Sequence, residues 1–570
     1  MYKKNKRSQQ PLLLSDVNNL PQRTWKYLQD SWAEIFRREV FLRIPEDRFA
    51  LLYDHEPSRP NVPVNILVGL EILKEWRGWS DEEMYEHFLF DLQVRYALCC
   101  DNFGEGDFDL RTLYYFRKRL NEHAIKTGEN LMKVTFETVT DEQIEKFNVN
   151  TKVQRMDSSQ ILSNIADLSR LELLIEAIQR LHRILSQEDQ EKYREIFVPY
   201  IKQGAGQYTY RIRGKEAVWQ HIEQVGIVLH DLLGKLASYQ AEPVYQMAQR
   251  FFEENFKWVE QQVKAKANTE IKPGCLQSVD DVEASYRKKG NHSYKGYVAN
   301  ITETCSAENP LQLITQVQVE PNRVSDNDLL KSGVPELKQR TDLEKLVTDG
   351  GYTGPSTDQV LRTAEVEQIT TGLVGALPIH PHGMLAMSDF DMQLNDDGNL
   401  EQVICPNGQK ATLTLQRSGH SFLVAFAADG CLTCSFHQTN RCPSKQYQRR
   451  NDFAFNLPKD RALSSWRIRR FQSCKEEARA LRPAVEATVF QVKHALQRGK
   501  VRVRGLFRTA CVITCSALAA NLRRIHRYEN DQQRGKFTSK KNRDSAFFVF
   551  SRLIQTYFIS NTLSPAISAP

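Results

Sequence analysis

The first part of the chain repeats apolar residues at helical spacing. Between Val62 and Trp76, the side chains of Ile66, Leu67, Leu70 and Leu73 recur at intervals that place them on one helical face. Such a stripe must be buried against another element. The residues before about position 145 are therefore predicted to form an all-helical domain.

Two further signals in this region concern helix starts and DNA. Ser80 followed by Glu83 has the form of a capping box that opens a helix. The segment Phe108–Leu120 then sets cations beside aromatic residues, which predicts a DNA-recognition helix of the helix-turn-helix kind. Its candidate DNA-binding residues are Arg111, Arg117, Lys118 and Arg119. A solvated amphipathic helix packed through its apolar side explains the same composition equally well.

Alternation of polar and apolar residues predicts strands in the middle of the chain. Thr151–Ile161 alternates roughly, whereas Tyr294–Thr302 and Leu311–Val319 alternate more regularly. The short apolar runs at Lys345–Thr348 and Val366–Thr371 supply further strands. Together these segments predict one sheet.

Long amphipathic segments interrupt and follow these strands. Leu171–Leu185 and Ala217–Phe256 indicate an all-helical insert after the first strand. Near the end, Arg508–Asn521 is rich in Ala, Val and Cys and is predicted to be a buried helix that closes the sheet. The result is an α/β core with an insert.

One helical face near the C-terminus combines a carboxylate with two cations. Arg482, Glu486 and Lys493 follow the spacing R-x3-E-x6-K, so the Glu lies one turn after the Arg and two turns before the Lys. A carboxylate for metal and cations for phosphate are what cleavage of a nucleic-acid backbone requires. The alternative is an ordinary surface helix with salt bridges.

Two aspartates in strand contexts could join Glu486. Asp157 lies within the first predicted strand, and Asp349 ends a short apolar strand just before a glycine turn. An Asp at a strand end is held on a stiff element and is still open to ligands. A turn-forming role is the alternative, because Asp before Gly commonly stabilises turns.

In this order, the motifs resemble those of DDE transposases of bacterial insertion sequences, from the branch with the signature Y-x2-R-x3-E-x6-K. The Arg, Glu and Lys of the signature match Arg482, Glu486 and Lys493, and Asp157 and Asp349 match the two family aspartates. The signature Tyr falls on Arg479. The DNA contact associated with that Tyr would be lost or made by a cation.

The resemblance implies a fold and a mechanism. The fold is α/β, with a ribonuclease-H-like catalytic core (a mixed sheet with flanking helices) and an N-terminal helical domain that binds DNA. Asp157, Asp349 and Glu486 would hold two divalent ions, Mg²⁺ or Mn²⁺, for cleavage and transfer of DNA strands. Arg479, Arg482 and Lys493 would contact DNA.

The same resemblance implies the partners and leaves two alternatives. Double-stranded DNA, as terminal inverted repeats and target, is the expected partner, and a homodimer is expected on DNA by analogy. A catalytically silent DNA-binding protein derived from a transposase, or a plain nuclease of the same fold, would share these features. Relatives carry an acidic pair like Asp326 and Asp328, which is interpreted as helix capping and not as metal binding.

Four of the 11 cysteines are spaced as zinc ligands. A C-P-x-G knuckle, a C-x2-C pair and a fourth thiol can surround Zn²⁺ tetrahedrally, and the flanking segments alternate like the strands of a ribbon. The proposed ligands are Cys405, Cys431, Cys434 and Cys442, with His437 as a substitute for one of them. Inert thiols are the alternative. The remaining cysteines lie in apolar surroundings and are predicted to be core residues.

Composition and charge support a nucleic-acid partner. The 570 residues carry a net charge of +7, and 41% of them are hydrophobic, as in folded proteins. From Arg441 to Arg543, Lys and Arg outnumber Asp and Glu by more than roughly three to one. No apolar run could span a bilayer, and Leu12–Leu14 is too brief for a signal-peptide core, so a cytoplasmic, nucleoid-associated protein is expected.

The sequence thus predicts a modular chain. The predicted segments are a DNA-binding domain (1–145), the first parts of the catalytic core (146–165 and 275–380), a helical insert (166–274), a cysteine-rich insert (381–450), the C-terminal part of the core with the Glu helix (451–530), and a basic linker and tail (531–570).

Overall fold

The computed structural model describes residues 2–7, 15–53, 60–373, 383–395, 397–446, 452–476, 478, 483–494, 496 and 499–533, with only the backbone for 483–486. Within these ranges, no helix is both long and apolar enough to cross a membrane. Of the predicted linker and tail (531–570), residues 534–570 lie outside the described residues.

The N-terminal part is helical, as predicted. Its helices are α1 (Gln22–Gln29), α2 (Trp32–Glu39), α3 (Val64–Arg77), α4 (Asp81–Phe90), α5 (Leu92–Ala97), α6 (Arg111–Thr127) and α7 (Leu131–Lys146). Ser80 and Glu83 form the predicted capping box at the start of α4. The apolar stripe of α3 is buried, with Leu70 and Leu73 fully covered.

A six-stranded mixed sheet forms the centre of the chain. Its strands are β1 (Val153–Leu162), β4 (Ser285–Lys289), β5 (His292–Thr304), β6 (Ile314–Pro321), β7 (Lys345–Thr348) and β8 (Glu367–Thr370), with β2 and β3 in the insert described next. The order is β4-β5-β1-β7-β8, and β6 also pairs with β5. β1 is antiparallel to β5 and parallel to β7. Two helices that flank this sheet are α14 (Asp326–Arg340) and α15 (Pro355–Thr363). This arrangement fits the predicted ribonuclease-H-like core.

The insert after β1 is largely helical. It contains α8 (Arg170–Ile184), α9 (Gln187–Lys192), α10 (Arg194–Ile201), α11 (Ala205–Tyr210), α12 (Lys215–Lys235) and α13 (Pro243–Asn255). The prediction of an all-helical insert was wrong at its end, where β2 (Phe256–Val259) and β3 (Gln262–Ala265) form a hairpin. Phe256 and Val263 are buried in the insert's own core, and the turn residues Glu260 and Gln261 both have positive φ.

The cysteine-rich insert is built from short strands and helices. They are β9 (Asp391–Leu394), β10 (Leu400–Ile404), β11 (Thr412–Leu415), β12 (Ser421–Ala427), α16 (Ala428–Leu432), α17 (Ser435–Gln438), β13 (Lys445–Gln446) and β14 (Asp452–Pro458). β14 pairs with both β12 and β13. The predicted boundary at residue 450 was therefore wrong, because the sheet of the insert continues to Pro458.

Three helices follow the cysteine-rich insert among the described residues. They are α18 (Lys459–Ser473), α19 (Pro483–Lys493) and α20 (Leu506–Gln533). The predicted buried helix is the first part of α20, which packs on β6 and also on α3. The Asn521 side chain donates to the Ile314 carbonyl and accepts from its N–H, which satisfies both backbone groups at the start of β6. The helical domain, α20 and the sheet share one hydrophobic core and are not separate modules.

Candidate active site

Asp157 and Asp349 lie side by side on neighbouring parallel strands. In the pairing of β1 with β7, Arg155 is opposite Val347, so continuing the register by two residues sets Asp157 opposite Asp349. Side chains two residues apart on a strand share a face. The two carboxylates therefore project from one face, at the end of the short strand β7.

Asp349 also stabilises the turn that follows it. Its Oδ1 accepts a hydrogen bond of 2.8 Å from the Gly351 N–H. Asp157 Oδ1 similarly accepts from the Ser158 N–H at 2.8 Å. Each carboxylate therefore has one oxygen engaged by the backbone, and the turn-forming role of Asp349 coexists with its place beside Asp157.

Burial and the neighbouring acidic groups raise the pKa of Asp157. Burial, followed by the negative charge of Asp349, raises the pKa of Asp157 to about 6. Asp326 adds to this rise, while the Ser158 N–H and the positive charge of Lys289 oppose it. A carboxyl group in this setting favours any ligand that brings positive charge.

Asp326 has contacts that its predicted capping role does not explain. The helix cap of α14 is made by Ser325, whose Oγ accepts from the Asp328 N–H, so the capping interpretation of Asp326 was wrong. Asp326 Oδ1 instead accepts from Ser158 Oγ at 2.9 Å. A Cβ on Gly351 would lie 2.9 Å from Asp326 Oδ2 and 3.0 Å from Asp349 Oδ1, which shows how closely the two carboxylates approach.

The helix that carries Glu486 packs over the same face of β1. Glu486 lies in α19, and its side chain is outside the described residues, as are Arg479 and Arg482. Lys493, two turns after Glu486, donates to Ser159 Oγ at 3.0 Å and to the Gln160 carbonyl at 2.9 Å. Burial lowers the pKa of Lys493. Its ammonium is thus next to the Asp157 strand, with two of its three protons already donated.

A buried ionic network holds α19 on the sheet. Glu303 of β5 accepts from Arg155 of β1 at 2.6 Å and from Arg524 of α20 at 2.7 Å. Thr488 of α19 donates to both Glu303 oxygens at 2.7 Å and accepts from Arg524 at 2.5 Å. Glu303 and Thr488 are each 2% exposed. Four elements that are distant in sequence therefore meet beside the two aspartates.

The four candidate DNA-binding cations of α6 differ from one another in exposure and pairing. Arg111, Lys118 and Arg119 are exposed, as DNA contacts would be. Arg117 donates two hydrogen bonds of 2.7 Å to Asp81, and its Nε donates to Glu71 at 2.6 Å. Its charge is compensated within the helical domain by these two carboxylates, and its DNA contact stays a prediction. The other face of α6 is buried through Leu113, Phe116 and Leu120.

The four candidate zinc ligands lie in the same part of the cysteine-rich insert. Cys405, Cys431, Cys434 and Cys442 line one small cavity together with His437. The Cys405 sulfur accepts from the Gln409 N–H at 3.3 Å. Burial and then the charges of the other three thiols raise the pKa of Cys431 to about 11. A cluster of mutually repelling thiols fits a cation, which would remove the repulsion.

Neither the carboxylates nor the thiols form a finished metal site. Across the part of the chain that the structure describes, no three His, Cys, Asp or Glu side chains are placed together as a metal ion would require. The chemistry of both donor sets still suits metals. Paired carboxylates suit Mg²⁺ or Mn²⁺, and four thiols suit Zn²⁺.

Comparison with known proteins supports a DNA-processing enzyme. Residues 404–526 match a family model described as Transposase DDE domain. This segment includes the four cysteines, Glu486 and most of α20, but it includes neither Asp157 nor Asp349, which lie before it in the chain. No curated protein and no solved structure matches the chain. The match to residues 404–526 supports a DDE transposase.

Proposed function

We propose that the protein is a DDE-type transposase that cuts and joins the ends of a bacterial insertion sequence. The observation that carries this proposal is the pairing of Asp157 with Asp349 on β1 and β7. The helix that carries Glu486 packs on β1 and falls within the segment that matches transposase DDE domains.

The catalytic roles follow from this arrangement. Asp157, Asp349 and Glu486 would hold Mg²⁺ or Mn²⁺ through carboxylate oxygens. When bound, two such ions supply activation of the attacking oxygen and stabilisation of the leaving oxygen in phosphoryl transfer. Because the pKa of Asp157 is raised to about 6, its carboxyl group is largely protonated below that pH. Binding of a metal ion there would release this proton.

Cationic residues of the chain would orient DNA without reading its sequence. Lys493, already beside β1, retains one ammonium proton to donate to a phosphate. Arg479 and Arg482 would act from the segment just before α19. On the helical domain, the exposed Arg111, Lys118 and Arg119 of α6 would contact the terminal repeats.

The cysteine-rich insert would be held together by Zn²⁺ bound to Cys405, Cys431, Cys434 and Cys442. A closed site of four thiolates is structural, because no position is left for water or substrate. The insert has a small hydrophobic core of its own. A bound metal would therefore add to the stability that this core provides. We further propose that the protein acts as a homodimer on DNA in the cytoplasm.

The deciding experiment uses a supercoiled plasmid that carries the ends of the element encoding this chain. With Mg²⁺, the wild type should cut at those ends and form joined products, whereas Asp157→Asn and Asp349→Asn should reduce cleavage by at least about 10³-fold. Asp342→Asn is the matched control, because Asp342 is an exposed aspartate at the opposite end of β7 and should leave cleavage unchanged.

The three outcomes separate the alternatives. Cutting with joined products supports a transposase, and cutting without them supports a plain nuclease of the same fold. Binding of the ends without cutting supports a silent DNA-binding protein. Full cleavage by both Asp→Asn variants would remove the basis of the proposed site.

A further inference from the structure

The hairpin formed by β4 and β5 extends past the end of β1. The last residue of β1, Leu162, pairs with Gly296, while β5 begins four residues earlier at His292. Gly296 has φ +148°, and a Cβ there would lie 2.4 Å from the Ile161 carbonyl oxygen. Only glycine allows this close approach, so the hairpin has a fixed position relative to the Asp157 strand.

The tip of this hairpin is rich in positively charged residues. Arg287, Lys288 and Lys289 are consecutive, and the sequence has no Asp or Glu between residues 284 and 302. Both lysines are exposed. Among the residues that the structure describes, neither lysine ammonium forms an ion pair, whereas Lys295 at the base of the hairpin is paired with Asp167.

The two faces of the hairpin differ in what they approach. Arg287 donates from Nη2 to Asp326 Oδ2 at 3.3 Å and from Nη1 to the Val324 carbonyl at 3.3 Å. Lys289 is two residues further along β4 and shares that face, while Lys288 projects from the other. The positive charge of Lys289 is also felt at Asp157.

We propose that Lys289 binds a DNA backbone phosphate next to the bond that is cut, and that Arg287, anchored by Asp326, holds the hairpin in position for this contact. The inference rests on the proposed function, because it assigns a substrate contact at that same site. It concerns binding, however, and is measurable without cleavage.

The acidic residues near Lys289 explain why a phosphate would need a cation at this position. Asp157, Asp326 and Asp349 crowd one edge of the sheet, and their charges repel an approaching phosphodiester. Asp326 already compensates much of the Arg287 charge. Lys289, whose charge acts on Asp157, therefore supplies charge that remains available to a phosphate at this edge of the sheet. Its long flexible stem suits a backbone contact that reads no base.

The test measures the affinity for a duplex that carries one element end, with Ca²⁺ in place of Mg²⁺, from about 50 to 200 mM salt. Lys289→Gln should weaken binding about 3- to 10-fold and lower the slope of log affinity against log salt by about 1. Lys289→Arg should restore both values. Lys288→Gln is the matched control, with the same residue type and exposure on the opposite face, and should bind like the wild type.

The possible results of this binding experiment test the phosphate contact and the proposed enzymatic function separately. Equal effects of Lys288→Gln and Lys289→Gln, or no effect of either, would overturn the phosphate contact even if the wild type cuts DNA. A selective effect of Lys289→Gln supports the contact even if the wild type binds without cutting, in which case only the enzymatic proposal fails. If the wild type does not bind the duplex at all, both are overturned.

Discussion

Replacement of Thr488 by Val should loosen the helix that carries Glu486 while preserving side-chain shape. The hydroxyl of Thr488 donates to Glu303 and accepts from Arg524, and the side chain is 2% exposed. Valine fills the same volume but leaves these charged partners with one hydrogen bond fewer. Such a loss at a buried site costs about 1–3 kcal/mol. The ratio of undocked to docked α19 should therefore rise about 5- to 150-fold.

Hydrogen–deuterium exchange measures this directly. Amides of α19 that exchange by undocking should exchange faster by the same factor in Thr488→Val, and cleavage of end-containing DNA should fall with the docked population. Thr488→Ser should remain close to the wild type, because it keeps the hydroxyl. The matched control is Thr135→Val in α7, where the buried hydroxyl donates only to the Leu131 carbonyl of its own helix.

Unchanged exchange of α19 in Thr488→Val would refute the reasoning, since it would show that the network does not hold the helix. Faster exchange across the whole chain would also refute it, because the network would then stabilise the fold in general. A selective change in α19, absent from the Thr135→Val control, is the expected result.

Two further predictions concern metal and pH. Cys431→Ser should reduce bound zinc in the purified protein from about one equivalent to near zero by elemental analysis, whereas Cys474→Ser, a partly exposed thiol outside the cluster, should leave it unchanged. Burial raises the pKa of Glu75, beside a cavity of about 710 Å³ between α3, α6 and α20, to about 7. Because the folded state holds this proton more tightly than the unfolded chain, stability should fall as pH rises from about 4.5 to 7, by up to about 3 kcal/mol. Glu75→Gln should therefore raise the unfolding temperature at pH 8 but hardly at pH 5; equal shifts at both values would contradict this.

Periodicity predicted most of the elements because their burial is one-sided. β7 spans the predicted Lys345–Thr348, and α8 covers the predicted Leu171–Leu185 to within one residue. The hairpin at 256–265 was missed because its alternating residues directly follow the amphipathic α13 in the chain. Short strands and helix ends cannot be separated by periodicity over so few residues.

The site could be predicted only where a motif marked it. Asp157 and Asp349 were predicted as site residues from their sequence contexts, and the register of β1 and β7 sets them opposite each other. Asp326 was named but interpreted as a helix cap. Its contact with Ser158 depends on where the start of α14 lies relative to β1, and no local sequence pattern encodes that distance. The same holds for the partners of Glu303, which come from strands and helices far apart in the sequence.

The three candidate carboxylates are positioned by different kinds of interaction. Asp157 and Asp349 are fixed relative to each other by backbone pairing of two parallel strands, an arrangement that needs no side-chain partner. Glu486 comes from a helix that arrives after two inserts, and its position depends on side chains, namely Thr488 against Glu303 and Lys493 against Ser159. Strand pairing is the stiffer of the two constraints. The position of Glu486 relative to the two aspartates is therefore expected to be more sensitive to side-chain substitution than the spacing of Asp157 and Asp349.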